Sequence, residues 1–244
     1  MTPGPSTLLE THGLSKRFGG VVAVAGLDLT VHEGEVLGLI GPNGAGKTTV
    51  FNLLSGFLTP DAGDVRFRGR SLRGLPPHTI CALGLARTFQ IVRPFPRLTV
   101  LDNVVIGALG RHPMAARARE HARAVVERVG LSAKAEQAAA GLTLAERKRL
   151  ELARALATEP ALLLLDEVMA GLNHVEIEEV ISLIKKAREQ GMSILVIEHV
   201  MKAIQSLSDR LLVLHHGEKI AEGKPDTVLS NEQVIDAYLG RKRL

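Results

Sequence analysis

The sequence predicts an α/β fold, and three stretches carry the prediction. Gly41-Pro42-Asn43-Gly44-Ala45-Gly46-Lys47-Thr48-Thr49 stands between an apolar run, Val36-Leu37-Gly38-Leu39-Ile40, and a helix-like segment, Val50-Phe51-Asn52-Leu53-Leu54. Ala161-Leu162-Leu163-Leu164-Leu165 is wholly apolar and ends in Asp166-Glu167. Ser193-Ile194-Leu195-Val196-Ile197 repeats the pattern and ends in Glu198-His199. Short apolar runs of this kind suit strands buried on both faces of a parallel sheet, and such sheets place ligands beyond the carboxyl ends of their strands.

The first stretch fits G-x-x-x-x-G-K-[ST], a phosphate-binding loop. Its glycines at 41, 44 and 46 let the backbone curl and turn successive N–H groups inward, which makes a nest for anions. Lys47 adds a point charge for the β- and γ-phosphates, and Thr48 offers a hydroxyl to Mg²⁺. Thr49 is read as the start of a helix whose N-terminus also favours negative charge. At the end of the second stretch, Asp166 suits Mg²⁺ and Glu167 suits an attacking water; the competing reading of the pair is a helix N-cap.

The whole chain sets bounds on these readings. Its 244 residues are 45% apolar and 23% charged, with a net charge of +4, too weak to argue for nucleic acid. Part of the excess sits in Arg241-Lys242-Arg243. The one cysteine, Cys81, excludes an internal disulfide, reads as a small apolar filler and fits a reducing compartment. No apolar run approaches the roughly 20 residues of a membrane span, and residues 1–7 lack the apolar core of a signal peptide. The expectation is a soluble cytoplasmic protein.

Taken in order, residues 7–36 read as two or three strands with a turn at Gly19-Gly20. Phe18 stands just before that turn, as a platform for a purine ring or as a plug under the sheet. Residues 59–63 form a turn and 64–69 a strand. Residues 79–84 form a short helix. Residues 86–90 read as a strand ending in Gln90, locally no more than a polar residue leaving a strand, and 91–99 as loop. Residues 101–128, rich in Ala, Arg and Glu, form a helical insertion ending at Gly130, a good residue just past a helix end. Thr143-Leu144-Ala145-Glu146 is a capping box opening a helix through residue 157, with Leu150, Ala153 and Leu156 inward. Residues 175–190 form an amphipathic helix bearing Ile177, Val180, Ile181 and Ile184 on one side. Residues 211–214, Gly217 and residues 219–221 close as a β-hairpin, and 231–239 as a terminal helix.

This ordered set resembles the ATP-binding subunit of an ABC transporter over essentially the whole chain. The resemblance implies a P-loop NTPase (RecA-like) core with an N-terminal antiparallel β subdomain and an inserted α-helical subdomain. Residues 1–90 and 156–244 would form the core and 91–155 the helical subdomain. It implies that Phe18 stacks on adenine, that residues 41–49 hold the phosphates and that Gln90 is the Q-loop glutamine. It makes Asp166 a Mg²⁺ ligand with Thr48 and Gln90, and Glu167 the catalytic glutamate. It makes Ala170-Gly171-Leu172-Asn173 the D-loop and His199 the switch histidine. Catalysis would fall to Glu167, His199 and Gln90, with ATP and Mg²⁺ as ligands.

One site departs from the family pattern. The signature L-S-G-G-Q stands here as Leu142-Thr143-Leu144-Ala145-Glu146, which keeps the hydroxyl and loses both glycines. Leu142, Thr143, Ala145 and Glu146 would still face the ATP held by a second subunit. A weakened signature would leave one ATP site of a dimer slow.

Finer details resemble the branched-chain amino acid (LivG-like) group. They are Arg87-Thr88-Phe89-Gln90, Asp166-Glu167-Val168-Met169-Ala170-Gly171-Leu172-Asn173, Glu198-His199-Val200-Met201 and Ala237-Tyr238-Leu239-Gly240. Carriers of amides, urea and other small polar solutes share them. The partners implied are transmembrane permease subunits, docked on residues 90–99 and the helical insertion; a second ATP-binding subunit, identical or different; and, indirectly, a solute-binding protein. The place implied is the cytoplasmic face of the inner membrane. The rivals are a soluble ABC ATPase acting on ribosomes or DNA, an exporter homodimer, a small-molecule kinase with a phosphate loop, and a clamp that binds without hydrolysing.

Overall fold

Alternating residues in the first thirty positions and apolar runs farther on divide this chain into two kinds of strand. A computed structural model describes residues 6–239; Gly240 and the Arg241-Lys242-Arg243 run lie outside the described residues. The elements in chain order are β1 (Thr7–Phe18), β2 (Val21–His32), β3 (Val36–Ile40), α1 (Lys47–Leu54), β4 (Ala62–Phe67), β5 (Arg70–Ser71), α2 (Pro77–Leu83) and β6 (Leu85–Arg87). There follow α3 (Val100–Ala108), α4 (Ala115–Arg128), α5 (Leu144–Leu156), β7 (Leu162–Asp166), α6 (His174–Glu189), β8 (Ser193–Ile197) and α7 (Met201–Leu207). The last are β9 (Arg210–His215), β10 (Glu218–Gly223), α8 (Pro225–Leu229) and α9 (Glu232–Leu239). Among the described residues they gather into two compact units, residues 6–80 with 193–239, and residues 81–192.

The first unit holds an antiparallel sheet in the order β2-β1-β4-β5. Residues 7–36 thus give β1, β2 and the start of β3, with β2 continuous through Gly26 because register shifts against β1 absorb the irregularity. Thr11 pins that stretch: its buried hydroxyl donates to the Leu27 carbonyl at 2.8 Å and accepts from the Leu29 N–H at 2.9 Å. β3 runs parallel to β8 on one side and β9 on the other, and β10 returns antiparallel to β9. All five residues of β3 and of β8 are buried, as their unbroken apolar sequence requires.

In the second unit β6 and β7 pair in parallel. The helical insertion is two helices, not one. Pro113 lacks an N–H and disfavours helix in the residue before it, so the chain breaks after α3 and restarts at α4. Gly130 ends α4 as expected, at φ 71°, with its N–H on the Glu127 carbonyl and the Leu131 N–H on the Val126 carbonyl; the paired bonds satisfy two carbonyls the helix leaves open. The expected strand 86–90 stops at Arg87: the Thr88 N–H still donates to the Leu164 carbonyl, and the Phe89 N–H then turns to the Glu151 carboxylate. α1 begins at Lys47, two residues before the expected Thr49, and β4 at Ala62, inside the expected turn. The short helices α7 and α8 had no periodicity to announce them.

Candidate functional site

β3 aims the backbone at Gly41, and the loop that follows is fixed by close backbone approaches. A Cβ on Gly41 would lie 2.1 Å from the Leu214 carbonyl oxygen, and one on Gly46 would lie 2.3 Å from that of Ala23. Both residues also have positive φ, 150° and 106°, so glycine is required twice over. The β9–β10 turn stitches the loop in place: the Gly217 N–H donates to Ala45 O at 3.0 Å, and the Ala25 N–H to Gly217 O at 2.9 Å. The Tyr238 hydroxyl meets the Gly41 backbone; burial, the larger influence, raises its pKa and that contact lowers it. Sequence reading missed Ala23, Leu214, Gly217 and this role of Tyr238, because each reaches the loop only through the fold.

The Lys47 side chain is 7% exposed, and its ammonium donates to the carbonyls of Gly41 at 2.6 Å and Pro42 at 2.9 Å. A positive charge therefore sits over the curled backbone. Gly46 precedes α1 as its N-cap, with no side-chain cap, so the first N–H groups of the helix are directed at whatever anion occupies the loop. Thr48, in the first turn, is exposed, and so are Asn43 and Gly44.

Phe18 is 49% exposed. The plug reading is thereby excluded, and the ring stands at the surface beside Val21 and Val22, with the Lys16 ammonium 5.8 Å from its centroid. His199 follows β8 and is exposed, while Glu198 before it is buried.

The second unit builds a different set of groups at the end of β7. Asp166 is 2% exposed, and Arg87, 6% exposed, donates to its carboxylate at 2.8 Å. Burial, the leading influence, pushes the Asp166 carboxyl up, while the Arg87 hydrogen bond and charge pull it back. Glu167 lies beyond, at φ 49°, a left-handed conformation that is costly for a residue with a side chain. Among the contacts that hold it, Lys148 donates to its carbonyl at 3.0 Å, the Ala170 N–H reaches the same oxygen at 3.2 Å, and the Gln90 amide donates to its carboxylate at 2.8 Å. The structure thus places Gln90 against Glu167, next to Asp166 in the chain. The helix that follows, α6, is capped by Asn173, whose side chain accepts from the Glu176 N–H, so neither Asp166 nor Glu167 is its N-cap.

α5 supports this set along one face. Lys148 holds the Glu167 carbonyl, Glu151 takes the Phe89 N–H, and Arg154 donates to Arg93 O at 3.1 Å. Glu151 is 8% exposed, and burial raises its pKa to about 7 against opposition from the Phe89 N–H and the Lys148 and Arg154 charges. Its folded-state pKa therefore lies above the ordinary glutamate value of 4.5. Between those values the unfolded chain gives up the proton first, so stability falls as pH rises through that window. We expect Glu151→Gln, which keeps an acceptor for Phe89, to flatten this fall and to gain relative to the parent between pH 5 and pH 8 by about 2–3 kcal/mol. Urea denaturation at both pH values checks it, and parallel curves for the two proteins would remove the assignment.

The start of α5 carries the capping box: the Thr143 hydroxyl accepts from the Glu146 N–H at 3.3 Å, and the Glu146 carboxylate from the Thr143 N–H at 2.9 Å. Ala145 is buried, Leu144 is exposed, and a Cβ on Gly171 would lie 3.0 Å from the Leu144 side chain. The leucine thus leans towards Gly171.

Comparison with known proteins agrees with this geometry. A family model described as ABC transporter matches residues 24–170, and one described as branched-chain amino acid ATP-binding cassette transporter matches residues 218–242. The chain is 42% identical to the high-affinity branched-chain amino acid transport ATP-binding protein BraF of Pseudomonas aeruginosa, over 96% of this chain and 98% of that one. It is 43% identical to LivG of Salmonella typhimurium over the same shares. Among solved structures, a nucleotide-free ATP-binding cassette from an ABC transporter superposes with a TM-score of 0.88 at 30% identity, over 97% of this chain and all of that one. A cassette in its ADP conformation gives 0.87 at the same identity and coverage. The protein is an ATPase of the P-loop class and belongs to the family of ABC transporter ATP-binding subunits.

Proposed function

We propose that this chain powers the import of branched-chain amino acids, or of closely related small polar solutes, from the cytoplasmic face of the inner membrane. The observation that carries the reading is the 42–43% identity, along nearly the whole length, to proteins named for branched-chain amino acid transport. Among the described residues no helix is long and apolar enough to cross a membrane, so the pathway for the solute belongs to separate permease subunits. The exposed apolar side chains Phe89, Ile91, Phe95 and Leu98 flank Gln90, one before it and three after. They suit a docked permease helix, whose arrival would be felt by Gln90 and, through it, by the Glu167 carboxylate.

In this reading two subunits meet head to tail. Each ATP lies between the phosphate loop of one, residues 41–49, and the Thr143 end of α5 in the other, with Phe18 against adenine. Lys47 balances charge on the β- and γ-phosphates, and His199 contacts the γ-phosphate. Glu167 orients an in-line water and takes its proton, which splits the terminal phosphate from ADP. Thr48, Gln90 and Asp166 offer hard oxygen donors of the kind Mg²⁺ takes; they would hold that ion, which supplies charge to offset the triphosphate. Tighter binding of ATP to the closed pair than to the open one shifts the pair shut and moves the permease.

The test is transport: vesicles holding this chain, its permeases and the solute-binding protein should take up leucine only with ATP inside the compartment the chain faces. Absence of ATP-dependent leucine uptake by a complex that hydrolyses ATP would assign a different solute. The altered signature favours a second reading, slow turnover, because the capping box already engages the Thr143 and Glu146 N–H groups. We expect Ala145→Gly to raise ATPase several-fold by easing backbone approach to the second subunit's γ-phosphate. Equal rates would show that the missing glycines cost nothing.

A further inference from the structure

Away from the nucleotide residues, the second unit gathers two imidazoles and a carboxylate that the ATPase cycle leaves without a task. His112 lies in the connection between α3 and α4, His121 lies on α4, and Glu159 follows α5. His112 Nε2 is 3.3 Å from Glu159 Oε1, and His121 Nδ1 is 3.6 Å from the same oxygen. The two rings sit 4.8 Å apart, tilted by 45°. One donor atom from each of the three residues falls within 4.8 Å of the others.

We propose that His112, His121 and Glu159 form a three-donor site for a divalent transition-metal ion of the Zn²⁺ kind, with the fourth position open to water. The distances carry the proposal. A tetrahedral ion with ligand bonds of about 2.0–2.1 Å separates its donors by about 3.3 Å, and the two measured edges to Glu159 are 3.3 and 3.6 Å. The third edge, between the imidazole donors, is no longer than 4.8 Å. Two imidazoles and one carboxylate select Zn²⁺, Co²⁺ or Ni²⁺ over Mg²⁺, which prefers oxygen and water.

The surroundings favour a built arrangement over a chance contact. Glu159 has φ 49° and precedes Pro160, a backbone unfavourable for a residue with a side chain; that conformation carries its carboxylate to the rings. The Arg111 guanidinium donates to Thr158 O at 3.1 Å and fastens the connection bearing His112 beside the chain bearing Glu159. The Arg128 charge acts on His121 and weakens the attraction for a cation. A bound ion would clamp the α3–α4 connection to the end of α5, so it would stabilise the fold.

The experiment titrates the whole, untagged, metal-stripped chain with Zn²⁺ by calorimetry, without nucleotide, and repeats it with Co²⁺, read as visible ligand-field bands. We expect one Zn²⁺ per chain, tetrahedral-type Co²⁺ bands, and binding weakened at least ~10-fold in His112→Ala and in Glu159→Gln. Thermal unfolding should move up with Zn²⁺ in the parent and not in these variants. Both altered side chains are partly exposed, so the variants should fold; His121→Ala, at a more buried position, is a third arm, checked by circular dichroism. Failure of the parent to bind Zn²⁺ stoichiometrically would overturn the proposal. So would undiminished binding in His112→Ala and Glu159→Gln, which would place the ion elsewhere among the chain's nine histidines.

Discussion

Replacing Lys47 by alanine should lower ATP turnover by at least ~100-fold, the order seen when one preorganised charge-stabilising donor is removed. The reason is in its placement. The ammonium is nearly out of solvent and held over the loop by the carbonyls of Gly41 and Pro42. It is therefore in position before ATP arrives, and the cost of organising it is not incurred during the reaction. Alanine leaves a cradle of N–H groups without the one full charge in the loop. Lys47→Arg should fail nearly as badly, since a planar fork does not fit where a compact ammonium points between two carbonyls. Steady-state phosphate release with purified protein measures the effect, and circular dichroism confirms that each variant folds. Parental turnover in the alanine variant would mean that the loop is not where the triphosphate binds.

What the sequence made legible follows from how far each constraint reaches along the chain. The phosphate loop was legible because its glycines, lysine and hydroxyl are contiguous, and the structure adds why two of those glycines admit nothing larger. β3, β7 and β8 were legible because burial on both faces leaves an unbroken apolar run. Phe18 was ambiguous because a single exposed ring and a single buried one read alike in one dimension. The supports of the carboxylates were not legible. Arg87 and Asp166 are 79 positions apart, and Phe89 and Glu151 are 62 apart. No local pattern announces such pairs, and a buried Glu on an amphipathic helix looks like any solvated glutamate. The overrun of β6 has the same origin: Thr88-Phe89-Gln90 has good strand propensity, and a nonlocal carboxylate diverts the Phe89 N–H.

The largest structural effect should come from the Arg87–Asp166 pair. Both side chains are almost fully buried and meet at 2.8 Å, while the Arg87 guanidinium also lies 5.1 Å from the Phe89 ring centroid. Removing one member of a buried pair strands the other, and the uncompensated charge typically costs about 3–5 kcal/mol. Arg87→Met, which keeps the apolar stem, should therefore destabilise the chain by that order and loosen the segment from Phe89 to Gln90. Asp166→Asn alone strands the guanidinium and should also be costly, although the amide oxygen still accepts one hydrogen bond. The double variant is the decisive member of the cycle. With no charge left to bury, it should lose less than the sum of the single losses by about 2 kcal/mol or more. Urea unfolding of the four proteins gives the coupling directly. Additive losses would mean that water reaches the pair, and that Arg87 serves Asp166 as a neighbour and not as its counter-charge. A large coupling would mean that the arginine keeps a carboxylate ionised at the tip of an apolar strand, the state a divalent-ion ligand requires.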